Sequence, residues 1–164
     1  PFINSSAVAV RKKAIILIGG FPQGVKSGED LITWAKLACK FKIAYSRKIC
    51  STYDRGFTYI KEPSRAPDKY DYVGKELVKL TAEYPSNKYL NKYYCFWLKI
   101  RIATFLKKNM SPEAKDEIKL FLKKSDKNKN YFLFLFLYVL PGHLSAKIYV
   151  TIQKINKIIH YCPK

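Results

Sequence analysis

The sequence is poor in the groups from which active sites and metal centres are usually built. Among 164 residues there are two histidines, His143 and His160, and one methionine. No H-E-x-x-H, no G-x-S-x-G and no phosphate-cradling glycine loop occurs. Four cysteines, Cys39, Cys50, Cys95 and Cys162, form no C-x-x-C and no regular spacing, which argues against a zinc centre or a thioredoxin-type redox pair. His160 and Cys162 stand close together in HYCP, but a chain terminus is a poor place to preorganise a nucleophile and its base. The expectation is a protein without catalysis, metal or cofactor.

Acidic residues are also scarce: 12 Asp and Glu face 31 Lys and Arg, a formal net charge of +19. That excess exceeds what solubility requires and implies a polyanionic partner or an anionic surface. Nucleic acid, acidic glycans, an acidic protein coat and a membrane all qualify. Long hydrophobic runs are missing too. AIILI (residues 14–18) ends in Gly19-Gly20, and the run from Tyr131 to Leu140 ends in Pro141-Gly142, whereas a membrane span needs about 18 apolar residues. An integral membrane protein is therefore not expected. The chain opens on Pro1 without an initiator Met, from which a removed leader and a secreted origin are expected.

What is present points to one helical domain. A content of 48% hydrophobic and 15% aromatic residues is ample for a core at this length. Residues 1–26 read as an N-terminal extension, mobile or laid as a strand against a bundle domain over 27–164. Ser27 is placed to cap a helix whose first turn carries Glu29 and Asp30. Leu31, Trp34, Ala35, Ala38, Phe41, Tyr45, Ile49 and Tyr53 then recur at helical intervals. On the opposite face Lys36, Lys40 and Arg47 fall within about 40° of one another as a cationic stripe. On such a helix Cys39 and Cys50 would lie roughly 16 Å apart, too far to bond each other. The even cysteine count permits up to two disulfides to other elements, or free thiols.

A second long helix is expected to open at Pro67 with Asp68 and Asp71 and to run to about Lys108. Pro85 should kink or split it, with Ser86 available as a new cap. Beyond the break Leu90, Tyr93, Tyr94, Trp97, Ile100 and Thr104 make an apolar face, and Lys88, Lys92 and Lys99 repeat the spacing of the first stripe. SPEAKDEIKLFLKKS is the clearest helix, with Ser111 as cap, Pro112 at the first position, acid early and Lys123 and Lys124 at the end. DKNKN links it to the apolar run, and a last segment places Ile148, Ile152, Ile155 and Ile159 on one face. The fold expected is an all-α, single-domain bundle of about five helices with two long antiparallel amphipathic helices.

Three stretches resemble the gastropod sperm lysin family over roughly residues 30–158. LACKFKIAYSRKICSTYDRGFTYIK (37–61) looks like that family's first long helix, with Asp54-Arg55-Gly56 before an aromatic-rich turn. NKYYCFWLKI (91–100) stands where the family has an aromatic and basic second helix. The stretch from Ser111 to Leu144, with Leu140-Pro141, is similar in layout to the short helices and turn that follow. The resemblance implies a non-enzymatic acrosomal protein of fertilisation, released onto the egg surface. The extra cysteines, the long N-terminal segment and the aromatic run look more like the fusogenic, eighteen-kilodalton acrosomal branch, which acts on the egg plasma membrane. The lysin branch instead dissolves the vitelline envelope by binding an egg-coat glycoprotein. Carried over by position, the family's basic tracks would be the two lysine stripes already selected by periodicity; a homodimer remains open.

The run from Tyr131 to Leu140 has two readings. A helix apolar all round can be one buried in a bundle's centre. A small bundle with two long apolar faces has limited interior, however, so part of the set Tyr131, Phe132, Phe134, Phe136 and Tyr138 is expected at the surface. Exposed rings beside abundant lysine suit the interface of an anionic lipid membrane. Lysine stripes with interleaved tyrosines also fit nucleic acid, but Lys outnumbers Arg about five to one and no recognised binding motif is present. An antimicrobial helical protein is physically close to the membrane reading.

Overall fold

The computed structural model describes residues 5–25, 27–46, 48, 51–52 and 66–161, with the helical backbone alone for 155–161. Among the described residues there is no strand, and the all-α expectation is borne out. Among the described residues a 3-10 turn over Ser5–Ala7 is followed by seven helices: α1 Lys12–Leu17, α2 Glu29–Lys40, α3 Tyr72–Glu83, α4 Lys88–Lys107, α5 Ser111–Lys124, α6 Lys129–Val139 and α7 Gly142–Tyr161. The contacts cluster into two units, Pro1–Leu90 and Asn91–Lys164. The AIILI segment, expected as a mobile arm or strand, lies mostly within the short helix α1.

In the first unit α2 packs against α3. Gly28, not Ser27, precedes the first turn, in a left-handed conformation (φ 84°) that glycine adopts without steric cost. Asp30 accepts the Leu31 N–H at 2.8 Å and the Ser5 hydroxyl at 3.0 Å. Ile32, Thr33, Trp34, Ala35 and Leu37 are buried, and Phe21 meets the Trp34 ring edge-on at 5.6 Å.

The long first helix expected through Tyr53 is not formed. It ends at Lys40, and Phe41 is extended with its N–H on the Leu37 carbonyl. Phe41, Ile43 and Tyr45 are exposed. The periodic pattern continues in sequence, but a helix needs a surface on which to bury its apolar face, and these side chains have none. Arg47, Ile49, Cys50 and Tyr53 lie outside the described residues. The second helix also starts later than expected. Asp71 is its N-cap, accepting the Gly74 N–H at 2.9 Å, so Pro67 and Asp68 precede it. Pro85 does split this segment, and Asn87 rather than Ser86 takes the first free N–H, that of Tyr89, at 3.2 Å.

The second unit is built from α4 to α7. Leu98, Ile102, Phe105 and Leu106 from α4, Ala114, Ile118 and Phe121 from α5, Phe134 and Leu137 from α6, and Ala146 and Tyr149 from α7 are all buried. Phe121 and Phe134 meet edge-to-face at 5.0 Å. A buried ion pair joins Arg101 Nε to Glu117 Oε1 at 2.7 Å. Two hydroxyls fasten the corner between α6 and α7. Ser145 Oγ donates to the Leu137 carbonyl at 2.8 Å, and Ser111 Oγ donates to the Gly142 carbonyl at 2.8 Å. Ser111 is therefore a tie to α7 and not the cap of its own helix, whose N-cap is Met110. Gly142 must be glycine here, because a Cβ would lie 2.6 Å from Ser111 Cβ.

Candidate functional site

The helix α6 begins where Asn128 Oδ1 accepts the N–H groups of Asn130 (2.9 Å) and Tyr131 (3.2 Å). It ends at Val139 because Pro141 holds Leu140 in an extended conformation. Between these points every residue from Tyr131 on is apolar or aromatic, so no sequence period says which side faces inward. Its packing against α5 and α7 makes that choice. Phe134 and Leu137 are 3% and 0% exposed. Phe132, Phe136 and Val139 are 58%, 52% and 74% exposed, and Leu135 is also exposed. The outward set 132, 135, 136 and 139 follows the i, i+3, i+4, i+7 spacing of a single helix face. Tyr131 is half-buried and stacks edge-on against Phe132, and Tyr138 is at the margin of exposure.

Of the five aromatic residues expected at the surface, Phe134 is thus corrected to a core residue. Its ring is held by Phe121, and an interior position on α6 requires a large apolar group there.

Lysines are exposed at the start of α6 and on the neighbouring helices, and neither α6 nor α7 carries a carboxylate. Lys127 and Lys129 are exposed at the start of α6, and Lys115 Nζ lies 5.9 Å from the centroid of the Tyr138 ring. Lys147 and Lys154 are exposed on α7. Asp126 is the last carboxylate in the sequence; from Lys127 onward there is no Asp or Glu. That acid-free tail is the signal in the sequence that marks α6 and α7 together.

The stripes themselves are only partly assembled. Lys36 is half-buried and bonded to Glu76 Oε2 at 3.0 Å, while Lys79 reaches the other oxygen at 2.6 Å. The hydrogen bond from Lys79, and then those from Lys36, hold the Glu76 carboxyl below the usual glutamate range. Lys36 is therefore engaged in joining α2 to α3 rather than presented to a partner. Lys40 is exposed at the end of α2, and the helix does not continue to carry Arg47 on the same face. On α4, Lys88 and Lys92 are exposed, whereas Lys99 is half-buried against the Phe96 ring at 5.9 Å. Lys88 sits 5.4 Å from the ring of Tyr89, itself exposed.

Cys39 and Cys95 are free thiols; Cys50 and Cys162 lie outside the described residues. Burial pushes both described thiols up, to which the charge of Glu83 adds at Cys39, so each is held neutral and weakly nucleophilic. Among the described residues no group of His, Cys, Asp and Glu is arranged to hold a metal ion, and no helix is long and apolar enough to cross a membrane. Comparison with known proteins finds no family model, no curated protein and no solved structure that matches this chain.

Proposed function

We propose that this is a non-enzymatic, secreted acrosomal sperm protein that binds and perturbs the egg membrane, with lysines drawing it to anionic lipid and the α6 stripe entering the interface. The observation that carries this reading is the outward row Phe132, Leu135, Phe136 and Val139 within a stretch of chain that holds no carboxylate. An apolar row of this kind costs water contact in the free protein. Its transfer to a lipid interface returns about 25 cal/mol per Å² of apolar surface buried, and each nearby lysine adds roughly 1 kcal/mol at an anionic leaflet. A helix of 11 residues is too short to span a bilayer but long enough to lie in its surface. The setting in fertilisation comes from the resemblance of residues 30–158 to the sperm lysins.

The test is lipid mixing and contents leakage with liposomes of neutral and anionic composition. Wild type should mix anionic vesicles and spare neutral ones, and Phe132→Ser/Phe136→Ser should abolish mixing while its circular dichroism remains that of the wild type. Intact vesicles in the presence of wild-type protein would defeat the membrane reading. A soluble ligand of an acidic egg-coat glycoprotein, contacted through Lys88, Tyr89 and Lys92, would then replace it.

A further inference from the structure

A polar cleft of about 320 Å³ lies in the second unit, between α4, the end of α5 and the loop that leads into α6. Lys92, Lys99 and Lys124 line it against one carboxylate, that of Asp126. Around the lysines stand further donors. Asn130 lines the cleft, and the hydroxyl of Ser125, another lining residue, is buried without a hydrogen-bond partner in the protein. A buried hydroxyl left unmatched costs about 1–3 kcal/mol, a cost that a ligand acceptor would remove. The carbonyl of Lys124, which would otherwise present the negative end of α5, is occupied by Asn91 Nδ2 at 2.8 Å. The floor is formed by Phe121 and Cys95, and the charges of Lys99, Lys124 and Asp126 all act on the Cys95 thiol, so they converge on one small volume.

We infer that this cleft binds a phosphate or sulfate monoester of a polyol, its oxyanion held by Lys92, Lys99 and Lys124 and a neighbouring hydroxyl of the ligand donated to Asp126. Three ammonium groups supply non-directional attraction for the anion, and the Asn130 and Ser125 donors fix its orientation. The single carboxylate disfavours a bare anion, whereas an ester that carries a free hydroxyl gives that carboxylate a partner. This ligand chemistry has two sources, a lipid headgroup and a soluble ester. Asn130 lines the cleft two residues before Phe132, so a headgroup seated there would hold its lipid against the start of the α6 stripe. The lipid source rests on the membrane reading; the soluble source does not.

The experiment is an amide-resolved NMR titration of the full chain with glycerol phosphate and with inorganic sulfate, beside binding to phosphatidylcholine vesicles with and without phosphatidylglycerol. Wild type should show saturable shifts at Cys95, Ser125 and Asn130. Lys99→Gln/Lys124→Gln should weaken glycerol phosphate by about tenfold or more, which corresponds to about 1.4 kcal/mol. Lys107→Gln/Lys119→Gln, with the same change of charge at exposed positions outside the cleft, should change it by less than about twofold, as expected for screened surface charge. Equal losses in the two variants, or shifts spread over all lysines without saturation, would overturn the site. Vesicle binding reduced by the cleft variant beyond its control would make the source a lipid. Saturable binding of glycerol phosphate by a protein that ignores vesicles would keep the site and sink the membrane reading. Vesicle binding that needs Phe132 and Phe136 but treats both lysine variants alike, with no soluble ester bound, would remove the site and leave the membrane reading standing.

Discussion

Helices α5 and α6 are neighbours in sequence and in space, and they carry opposite kinds of information. In α5 polar and apolar residues alternate at helical period, with Glu113 early and Lys123 and Lys124 late. Its inward face, Ala114, Ile118 and Phe121, follows from that pattern before any partner is known. From Tyr131 on, α6 has no polar face. Phe134 and Leu137 point inward only because α5 and α7 lie on that side, and the same residue type, Phe, is core at 134 and surface at 132 and 136. An amphipathic helix encodes its own orientation, whereas a uniformly apolar one accepts whichever its neighbours impose.

The sharpest way to break this contrast is to truncate the two kinds of phenylalanine separately. Phe134→Ala should destabilise the protein by about 3–5 kcal/mol in a urea titration, because the space against Phe121 cannot refill. Phe132→Ala and Phe136→Ala should each stay within about 0.5 kcal/mol of wild type, since both rings are more than half exposed. Equal costs at all three positions would mean that α6 is buried on both sides.

The next contrast is at the helix starts. Asn128 caps α6 through its side chain, whereas the Ser111 hydroxyl, which a sequence pattern assigns to capping α5, bonds Gly142 instead. Asn128→Ala should cost about 1 kcal/mol and fray the first turn of α6, visible as faster amide exchange at Asn130 and Tyr131. Ser111→Ala should cost a similar amount but loosen the start of α7 rather than that of α5. Exchange that rises first in α5 would return Ser111 to the role of a cap.

The smallest effect is expected where the second unit's apolar contacts are compared with the charged link between α2 and α3. Glu76 is held below its ordinary value near 4.5, first by the hydrogen bond from Lys79. A carboxyl with a depressed folded-state pKa contributes its full stability above the unfolded value and loses that contribution as pH falls through the folded value. The unfolding midpoint should therefore decline on acidification below pH 4.5, and Glu76→Gln should flatten that decline. An unchanged slope in the variant would show that the Lys36–Glu76–Lys79 cluster is too solvated to matter.

Much of the architecture was legible from local chemistry. Pro85 divides α3 from α4 because proline lacks the N–H and clashes with the preceding turn, and no context can restore either. The acidic start and basic end of α5 act through its own dipole. Cap positions were less legible. The second helix opens at the Asp71 cap and not at Pro67, and Asn87 took the capping role assigned to Ser86, since several capping residues stand near each boundary and local packing selects among them. The lysine stripes show a different limit. Helical spacing placed Lys36 and Lys40 correctly on one helix, but it could not show that Glu76 would claim Lys36, nor that the helix would stop before Arg47.

By itself the sequence determined the charge, the helix breaks at Pro85 and Pro141 and the inward face of α5. These properties belong to single residues or to residues within one turn of each other, so short-range geometry settles them. Tertiary structure alone decided that the pattern after Lys40 forms no helix, that Phe134 is core while Phe132 and Phe136 face outward, and that three lysines gather around one cleft. Each of those outcomes depends on which surfaces meet, and the free energy of burial is decided by the surface on the other side of the contact.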